Sequence, residues 1–366
     1  MGFIGGYKEA SLWTKGEGGS VTCNLCCHRC KIAEGKRGIC GVRENLGGTL
    51  VSLNYGTVIA QSIDPIEKKP LFHFQPGSTS SSVATVGCNL RCLHCQNYDI
   101  SQMPKGGGKI KGTPTEPESV ILRAATIGCK SMAYTYTEPT IFFEYAMDFA
   151  RLAKEEGLKN VFVTNGFMTP ECLDSLDGLL DGANVDLKSF SDDMYKKVCG
   201  ARLKPVLDSI EHMLKLGIWV EITTLIIPTV NDSEKELREI ARWIAKTDKR
   251  VPWHISAFHP AYKMMDIPST PRETLTRARE IGLEEGLRYV YTGNVPGDKG
   301  ESTYCYDCGK MIIKRYGYNI KSKAIKDSKC TYCSAVIDGV DLDCDIFIPP
   351  DFSTGKSTNM GIMNKG

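Results

Sequence analysis

The sequence predicts an α/β fold of repeated strand–helix units, and three observations carry that prediction. Between residues 83 and 294, strand-like apolar runs alternate with helical stretches. Most of the runs are uninterrupted apolar or β-branched residues, as in strands covered on both faces. The stretches between them carry helix start and stop signals. Such alternation marks a parallel sheet with crossover helices.

Seven strands are predicted in order: SSVATVG (81–87), SMAYTYTEP (131–139), NVFVTNG (160–166), NVDLKSF (184–190), WVEITTLIIP (219–228), PWHISAFHP (252–260) and RYVYTGN (288–294). Among the helix signals, Thr169 before Pro170 and Thr270 before Pro271 read as N-caps followed by first-turn prolines. Glu273 completes a capping box for the second, and Ser233 with Glu236 makes another. Gly157, Gly217 and Gly286 stand where helices should stop. Six or seven such units suit a closed or partial barrel or an open doubly wound sheet, and periodicity does not choose between them. No GxGxxG follows the first strand, which weakens a dinucleotide-binding reading. KGGGKIK (105–111) lacks the GK[ST] of a phosphate-binding loop and reads as a flexible connection. A cysteine-rich segment (about 20–45) and connecting strands (48–75) precede this core; a cysteine-bearing module (about 300–345) and a polar tail follow it.

The chain has 366 residues, enough to bury a substantial core, with 42% hydrophobic and 24% charged residues. Its net charge of +2 gives no electrostatic reason to expect nucleic acid or a membrane surface as partner. Residues 1–22 lack the apolar core of a secretory signal, and no run of about 18 apolar residues is present to span a bilayer. The expectation is a cytoplasmic protein. Thiols stay reduced there, so sixteen cysteines read as metal ligands rather than as disulfides. Thirteen fall in three places: Cys23, Cys26, Cys27, Cys30 and Cys40; Cys88, Cys92 and Cys95; Cys305, Cys308, Cys330, Cys333 and Cys344. Cys129, Cys172 and Cys199 stand alone and read as small buried hydrophobes.

The middle set, Cys88-x3-Cys92-x2-Cys95, follows the first predicted strand. Three thiolates on a four-iron cluster leave one iron open to an exogenous ligand. A zinc site completed by His94 or a distant cysteine is the alternative. Zinc more often takes separated ligand pairs, and His94 lies between two of the cysteines. At the C-terminal end, Cys305-x2-Cys308 and Cys330-x2-Cys333 flank a 21-residue spacer, a strong zinc-ribbon signal that leaves Cys344 unassigned. From Lys310 to Lys329 there are seven Lys or Arg against one acid, Asp327; a solvated face is the favoured reading over an RNA-binding one.

With these residues the sequence resembles the radical SAM enzymes, whose hallmark is Cys-x3-Cys-x-aromatic-Cys after the first barrel strand; His94 fills the aromatic slot. The resemblance implies a partial (β/α)6 TIM-like barrel over 76–297, between a cysteine-rich N-terminal segment with connecting strands (1–75) and a zinc-ribbon-like module (298–346) with a flexible tail (347–366). It implies a [4Fe–4S] cluster on Cys88, Cys92 and Cys95 that binds S-adenosylmethionine (SAM). YTEPT (136–140) is similar to the segment contacting the SAM amino group: Glu138-Pro139 matches the end of a GGEP pattern, while Tyr136-Thr137 replaces its glycines. TNGF (164–167) and DLK (186–188) resemble strand ends of pyruvate formate-lyase activating enzymes, which makes Lys188 the partner of the SAM carboxylate, with Asp186 beside it. Val163 stands where that subfamily has an acid, leaving Glu138 or Asn165 to contact the amino group. AFHP (257–260) puts His259 near the ribose by the same resemblance. All these positions fall at C-terminal strand ends, where barrel enzymes build their sites. Tyr134, Tyr136 and Tyr291 are candidates for the cavity wall or for aromatic core.

The longest resemblance is to the radical SAM component of the AmmeMemoRadiSam system. It runs through CNLCCHRCKIAEGKRGICGVREN (23–45), IDPIEKKPLFHFQPGSTSSSVATVGCNLRC (63–92), AYTYTEPTIFFEYA (133–146), IIPTVNDSEKEL (226–237), WHISAFHPAYKM (253–264) and YTGNVPG (291–297). Family members often have proline at Cys27, which implies that Cys27 is a spare thiol and that Cys23, Cys26, Cys30 and Cys40 form the N-terminal set. Four thiols close a coordination shell, for a structural zinc or an auxiliary iron–sulfur cluster; the spacing demands no open position, which favours a structural role. The resemblance further implies reductive cleavage of SAM to a 5′-deoxyadenosyl radical that abstracts hydrogen from an unidentified substrate. It also implies an electron donor such as ferredoxin or flavodoxin, and association with Memo-like and AMMECR-like proteins. Two other readings stand beside it: an activating enzyme for a glycyl-radical protein, and a non-catalytic zinc or iron–sulfur protein that binds RNA or protein.

Overall fold

The computed structural model describes residues 2–346; the tail expected over 347–366 lies outside the described residues. Eight strands form the central sheet: β1 (Ala60–Pro65), β2 (Thr79–Ala84), β3 (Ser131–Tyr134), β4 (Lys159–Thr164), β5 (Gly182–Asp186), β6 (Trp219–Ile226), β7 (Trp253–Ala257) and β8 (Val290–Gly293). Their spatial order is their chain order. Strands β2 to β8 run parallel, and β1 lies antiparallel on β2, Thr79 opposite Pro65 and Ala84 opposite Ala60. All seven predicted strands are present. The order contains no reversal, so the topological switch point of a doubly wound sheet is missing among the described residues.

One main helix follows each strand from β2 to β7: α1 (Pro117–Ile127), α2 (Phe143–Glu155), α3 (Pro170–Asp174), α4 (Leu203–Lys215), α5 (Glu234–Asp248) and α6 (Arg272–Glu284). Thr169 caps α3 by accepting the Cys172 amide at 3.2 Å. Ser233 caps α5 by accepting the Glu236 amide, but the Glu236 carboxylate turns away to the Ser189 hydroxyl and the Phe190 amide instead of closing the box. The expected cap at Thr270 is not made. Its hydroxyl donates to the Ile226 carbonyl and accepts from the Phe258 amide, tying β6 to the end of β7, and α6 starts after Pro271. Gly157, Gly217 and Gly286 end helices with φ of 72°, 76° and 91°. Trp253, Phe149 and Phe162 are fully or almost fully buried in the core; burial of a side chain of the Phe class contributes about 1.5–3 kcal/mol.

Both flanking segments are anchored by buried charge. Arg43, in the strand Arg43–Leu46, pairs with Glu144 of α2, which also accepts the Ser11 amide and hydroxyl at 2.7 Å each. At the other end, Met311–Tyr316 and Asn319–Lys323 form a hairpin. From it, Arg315 donates to the Phe72 carbonyl at 2.8 Å and to Thr303 at 2.7 Å, with Glu67 3.6 Å from its Nε. The loop expected to be a flexible connection is tied down: Lys105 reaches the Leu90 carbonyl, and Arg37 donates to the Gly108 carbonyl at 2.9 Å.

Candidate metal and cofactor site

A cavity of about 510 Å³ opens at the C-terminal ends of the parallel strands. Cys88, Cys92 and Cys95 stand together in its wall, on the loop after β2. This loop is held by backbone bonds across the fold, from Arg91 to the Cys199 carbonyl at 2.8 Å and from Leu93 to the Val198 carbonyl at 3.0 Å. The Leu90 amide donates to Cys88 Sγ at 3.3 Å, Asn165 Nδ2 lies 3.7 Å from the same sulfur, and Cys95 Sγ is 3.3 Å from Ser101 Oγ.

Four of the five predicted cofactor residues line the same cavity. Glu138 is buried, and its carboxylate accepts from the Thr140 amide (3.1 Å) and hydroxyl (2.6 Å), the Thr164 hydroxyl (2.7 Å) and the Asn165 amide (2.8 Å). It therefore joins the loop after β3 to the end of β4. Asn165 donates to Asn89 Oδ1 at 2.7 Å, beside the cysteine loop. Lys188 donates to Asp186 at 2.8 Å, both at the end of β5. The fifth, His259, is not among the cavity residues: it is exposed, with Nδ1 3.2 Å from Ser269 Oγ. From that strand the structure brings His254 and Ser256 to the wall instead. Of the three tyrosines, Tyr136 lines the cavity, whereas Tyr134 bonds Asn160 and Tyr291 bonds His73 and Thr303 within the core.

The charge pattern separates the three thiols. Burial, with Glu138 and Cys92 nearby, pushes the Cys88 thiol far up, and burial also raises Cys95 against the bond to Ser101. Cys92 moves the other way: a hydrogen bond with Cys199 and the nearby Lys188 outweigh burial. Cys199, expected to be an isolated core residue, is thus a neighbour of the set. Burial works against charge on Lys188, but Asp186 and Cys92 outweigh it and hold the ammonium protonated. His94 lines the cavity with Nδ1 unpartnered; burial and then Lys188 lower its pKa to about 3, so it stays neutral.

The donor set fits an open iron–sulfur cluster. Three thiols line one cavity with a lysine beside them, and among the described residues they belong to no group of three or more Cys, His, Asp or Glu donors lying within 4.8 Å of one another, as a single-ion shell would require. Cys305, Cys308, Cys330 and Cys333 differ, because all four sulfurs lie within 4.8 Å of one another. Four thiols so close together could hold a single metal ion.

The cavity is also lined by residues that the sequence did not reveal: Glu67, Lys68, Lys69, Phe72, Thr223, His254, Thr292 and Tyr318. His254 Nε2 bonds Glu221 at 2.7 Å; Glu221 is itself buried and accepts the Phe72 and His73 amides. A histidine two places into a buried strand was the available signal. The contribution of Tyr318 had none.

The family model described as Radical SAM superfamily matches residues 82–244. An uncharacterized protein of Methanocaldococcus jannaschii is 45% identical over 334 residues, 90% of this chain and 99% of that protein. The pyruvate formate-lyase-activating enzyme of Clostridium pasteurianum is 28% identical over 215 residues, 55% of this chain and 87% of that enzyme. Among solved structures, a radical SAM methyltransferase from Sphaerobacter thermophilus aligns with a TM-score of 0.47 at 17% identity, over 64% of this chain and 71% of that one.

Proposed function

The chain belongs to the radical SAM superfamily, and from that premise we propose that it is a SAM-cleaving enzyme of the AmmeMemoRadiSam type, acting on a small substrate. The observation that supports this most is the meeting of Cys88, Cys92 and Cys95 with Glu138, Asn165, Asp186 and Lys188 around one cavity at the strand ends. When bound, a [4Fe–4S] cluster with SAM supplies one-electron cleavage of the sulfonium to methionine and a 5′-deoxyadenosyl radical. The protein's own tasks are then to hold SAM, exclude water and present one C–H bond.

In this reading Lys188, kept charged by Asp186, takes the SAM carboxylate. Asn165, already bonded to the cysteine loop, and Glu138 set the amino-group side. The central sheet is a partial barrel with the site at its mouth. Cys305, Cys308, Cys330 and Cys333 hold zinc, and an electron donor of the ferredoxin or flavodoxin class serves the cluster. Memo-like and AMMECR-like proteins are the proposed functional partners. A cavity of about 510 Å³ is within the roughly 300–1,000 Å³ that takes one drug-sized ligand, so SAM leaves room for little more than a small molecule or one side chain. Among the described residues, no helix is long and apolar enough to cross a membrane.

Activation of a glycyl-radical partner is the second reading, favoured by the similarity to pyruvate formate-lyase-activating enzymes. It requires a peptide loop to enter past Tyr318 and Lys68, both in the cavity wall. One experiment tests the shared chemistry: anaerobic reconstitution with iron and sulfide, reduction with dithionite, addition of SAM and quantification of 5′-deoxyadenosine. Formation by the wild type, and none by a variant with Cys88, Cys92 and Cys95 all changed to Ala, is expected. Equal formation by both overturns the assignment.

A further inference from the structure

The chain carries two sets of four cysteines, and their geometry differs. In the C-terminal set, Cys305 and Cys333 Sγ are 3.6 Å apart and Cys308 and Cys330 Sγ are 3.9 Å apart. A tetrahedral zinc with Zn–S bonds of about 2.3 Å places its sulfurs roughly 3.8 Å apart, which matches. Among the described residues, this is the only group of three or more Cys, His, Asp or Glu donors whose atoms all lie within 4.8 Å of one another. Cys23, Cys26, Cys30 and Cys40 do not meet that spacing. They line a small closed cavity between them, walled also by Leu25, His28 and Arg43. An iron–sulfur cube interposes its own irons and sulfides between its thiolates, so its ligand sulfurs stand wider apart than those sharing one ion. The Cys88 triad is spread in the same way.

We propose that Cys23, Cys26, Cys30 and Cys40 hold an iron–sulfur cluster rather than zinc, placed as a one-electron centre against the Cys88 loop. The second half of this inference rests on the radical SAM reading of that loop; the first does not. Arg43, 1% exposed and fixed by Glu144, has Nη1 3.8 Å from Cys23 Sγ, a buried cation beside thiolates that gain negative charge on reduction. Cys27 is turned out of the set, its thiol donating to the Met168 carbonyl at 2.9 Å, and it does not line the cavity.

The two cysteine loops touch on both sides of Cys88. On one side is Gly87, where a Cβ would lie 3.3 Å from the Cys40 carbonyl oxygen and 2.9 Å from Val42 Cγ1. On the other, His28 Nε2 is 2.8 Å from the Asn89 carbonyl oxygen, and Asn89 Oδ1 is 3.8 Å from Cys88 Sγ. A ligand of one set is therefore one van der Waals contact from the chain neighbour of a ligand of the other. Structural zinc has no use for that proximity, whereas electron transfer depends on it. A low-potential donor protein of the ferredoxin or flavodoxin class gives one electron and is oxidised by one; the Cys40–Gly87 contact passes that electron to the group at the triad, which is reduced by one.

The test uses the full chain, reconstituted anaerobically with iron, sulfide and zinc, as wild type, Cys26→Ser/Cys30→Ser, Cys27→Ser and Cys308→Ser/Cys333→Ser. The first double variant is expected to lose about half of the iron and sulfide and keep its zinc. Cys27→Ser is expected to lose neither, and the last variant to lose zinc alone. Retained zinc shows that the Cys26/Cys30 variant is folded at its far end. In the dithionite-reduced wild type, electron paramagnetic resonance should show two interacting centres, reduced to one in the Cys26/Cys30 variant. That variant should also lose reduction by flavodoxin while keeping reduction by dithionite. Full iron with lost zinc in the Cys26/Cys30 variant overturns the metal assignment. Undiminished reduction by flavodoxin overturns the electron role. Neither readout involves SAM cleavage, so failure of the radical SAM reading is scored separately, by 5′-deoxyadenosine.

Discussion

Asp64→Asn is a substitution whose cost follows directly from the structure. At the end of β1 the Asp64 carboxylate, 6% exposed, accepts from Lys68 and Lys69 at 2.7 Å each, from Tyr136 at 2.6 Å, and from Ser62 and Ser82 at 3.1 and 3.2 Å. Lys69 is 2% exposed and lies 4.7 Å from the centre of the Tyr136 ring. The amide keeps the size of the side chain and withdraws its charge, leaving the Lys69 ammonium buried without a counter-ion. Breaking a buried pair in this way costs about 3–5 kcal/mol, and the half-exposed Lys68 adds little. Denaturant unfolding at neutral pH should register that loss. Asp64→Asn with Lys69→Met should recover most of it, because both charges then vanish. The pH dependence gives a second check. Burial opposes ionisation of Asp64, but the bonds from Lys68, Lys69 and Tyr136 outweigh it and hold the carboxyl well below its usual range. Its contribution is therefore present above the unfolded value near 4 and is lost as pH falls below it, so wild type and variant converge in acid. They also converge toward about pH 10, because burial already lowers Lys69 and the variant lowers it further, which favours the folded state as the unfolded lysine loses its proton. A variant within about 0.5 kcal/mol of wild type at neutral pH, or a double variant no more stable than the single one, refutes the reasoning.

Three further outcomes are expected. Gly87→Ala should destabilise the chain by about 1–3 kcal/mol, since φ is +108° and the new Cβ meets Val42 and the Cys40 carbonyl; a neutral result in denaturant unfolding contradicts the close approach of the two cysteine loops. Glu138→Gln should cost about 1–3 kcal/mol and weaken SAM binding in a calorimetric titration, because an amide NH2 replaces an oxygen that accepts hydrogen bonds; unchanged affinity and stability refute its place as the tie between β3 and β4. Chelation of zinc should deprotect the amides of 311–323 in hydrogen exchange while leaving β3 to β6 protected, and uniform protection would show that the four C-terminal cysteines do not hold the hairpin.

The parallel strands were legible because most carry apolar or β-branched runs, and in NVFVTNG and NVDLKSF the run leads to polar residues that line the cavity, Asn165 in the first and Asp186 and Lys188 in the second. What stayed hidden depends on partners distant in sequence. Strand β1 reads AQSIDP, short and polar, and its place at the sheet edge is set by pairing with β2. Thr270 carries the local signature of a cap, yet its hydroxyl finds the Ile226 carbonyl on a neighbouring strand, which no local pattern records. Lys105 sits among glycines and lysines that suggest mobility, and only the fold brings the Leu90 carbonyl within its reach. The pairing of Glu67 with Arg315 joins residues 248 positions apart.

Most of the cavity residues that the sequence did not reveal lie outside the part of the chain that the family model matches. Cys88, Cys92, Cys95, Glu138, Asn165, Asp186 and Lys188 all fall within the matched residues 82–244, and of the residues missed from the sequence only Thr223 joins them, whereas Glu67, Lys68, Lys69, Phe72, His254, Thr292 and Tyr318 fall outside. Tyr136 bridges the two halves. It adopts φ of +63°, a conformation costing a non-glycine residue roughly 1–2 kcal/mol, at a position where the GGEP pattern that YTEP resembles has glycine. Asn97 donates to its carbonyl at 2.7 Å, and its hydroxyl donates to Asp64 at 2.6 Å, which offsets the strain. The loop thus keeps a conformation natural to glycine while its side chain closes onto Asp64 and Lys69. The cavity thus draws its lining from the matched residues, from Glu67, Lys69 and Tyr318 of the flanking segments and from His254 and Thr292 of β7 and β8, and Tyr136 ties the first set to the second through Asp64 and Lys69.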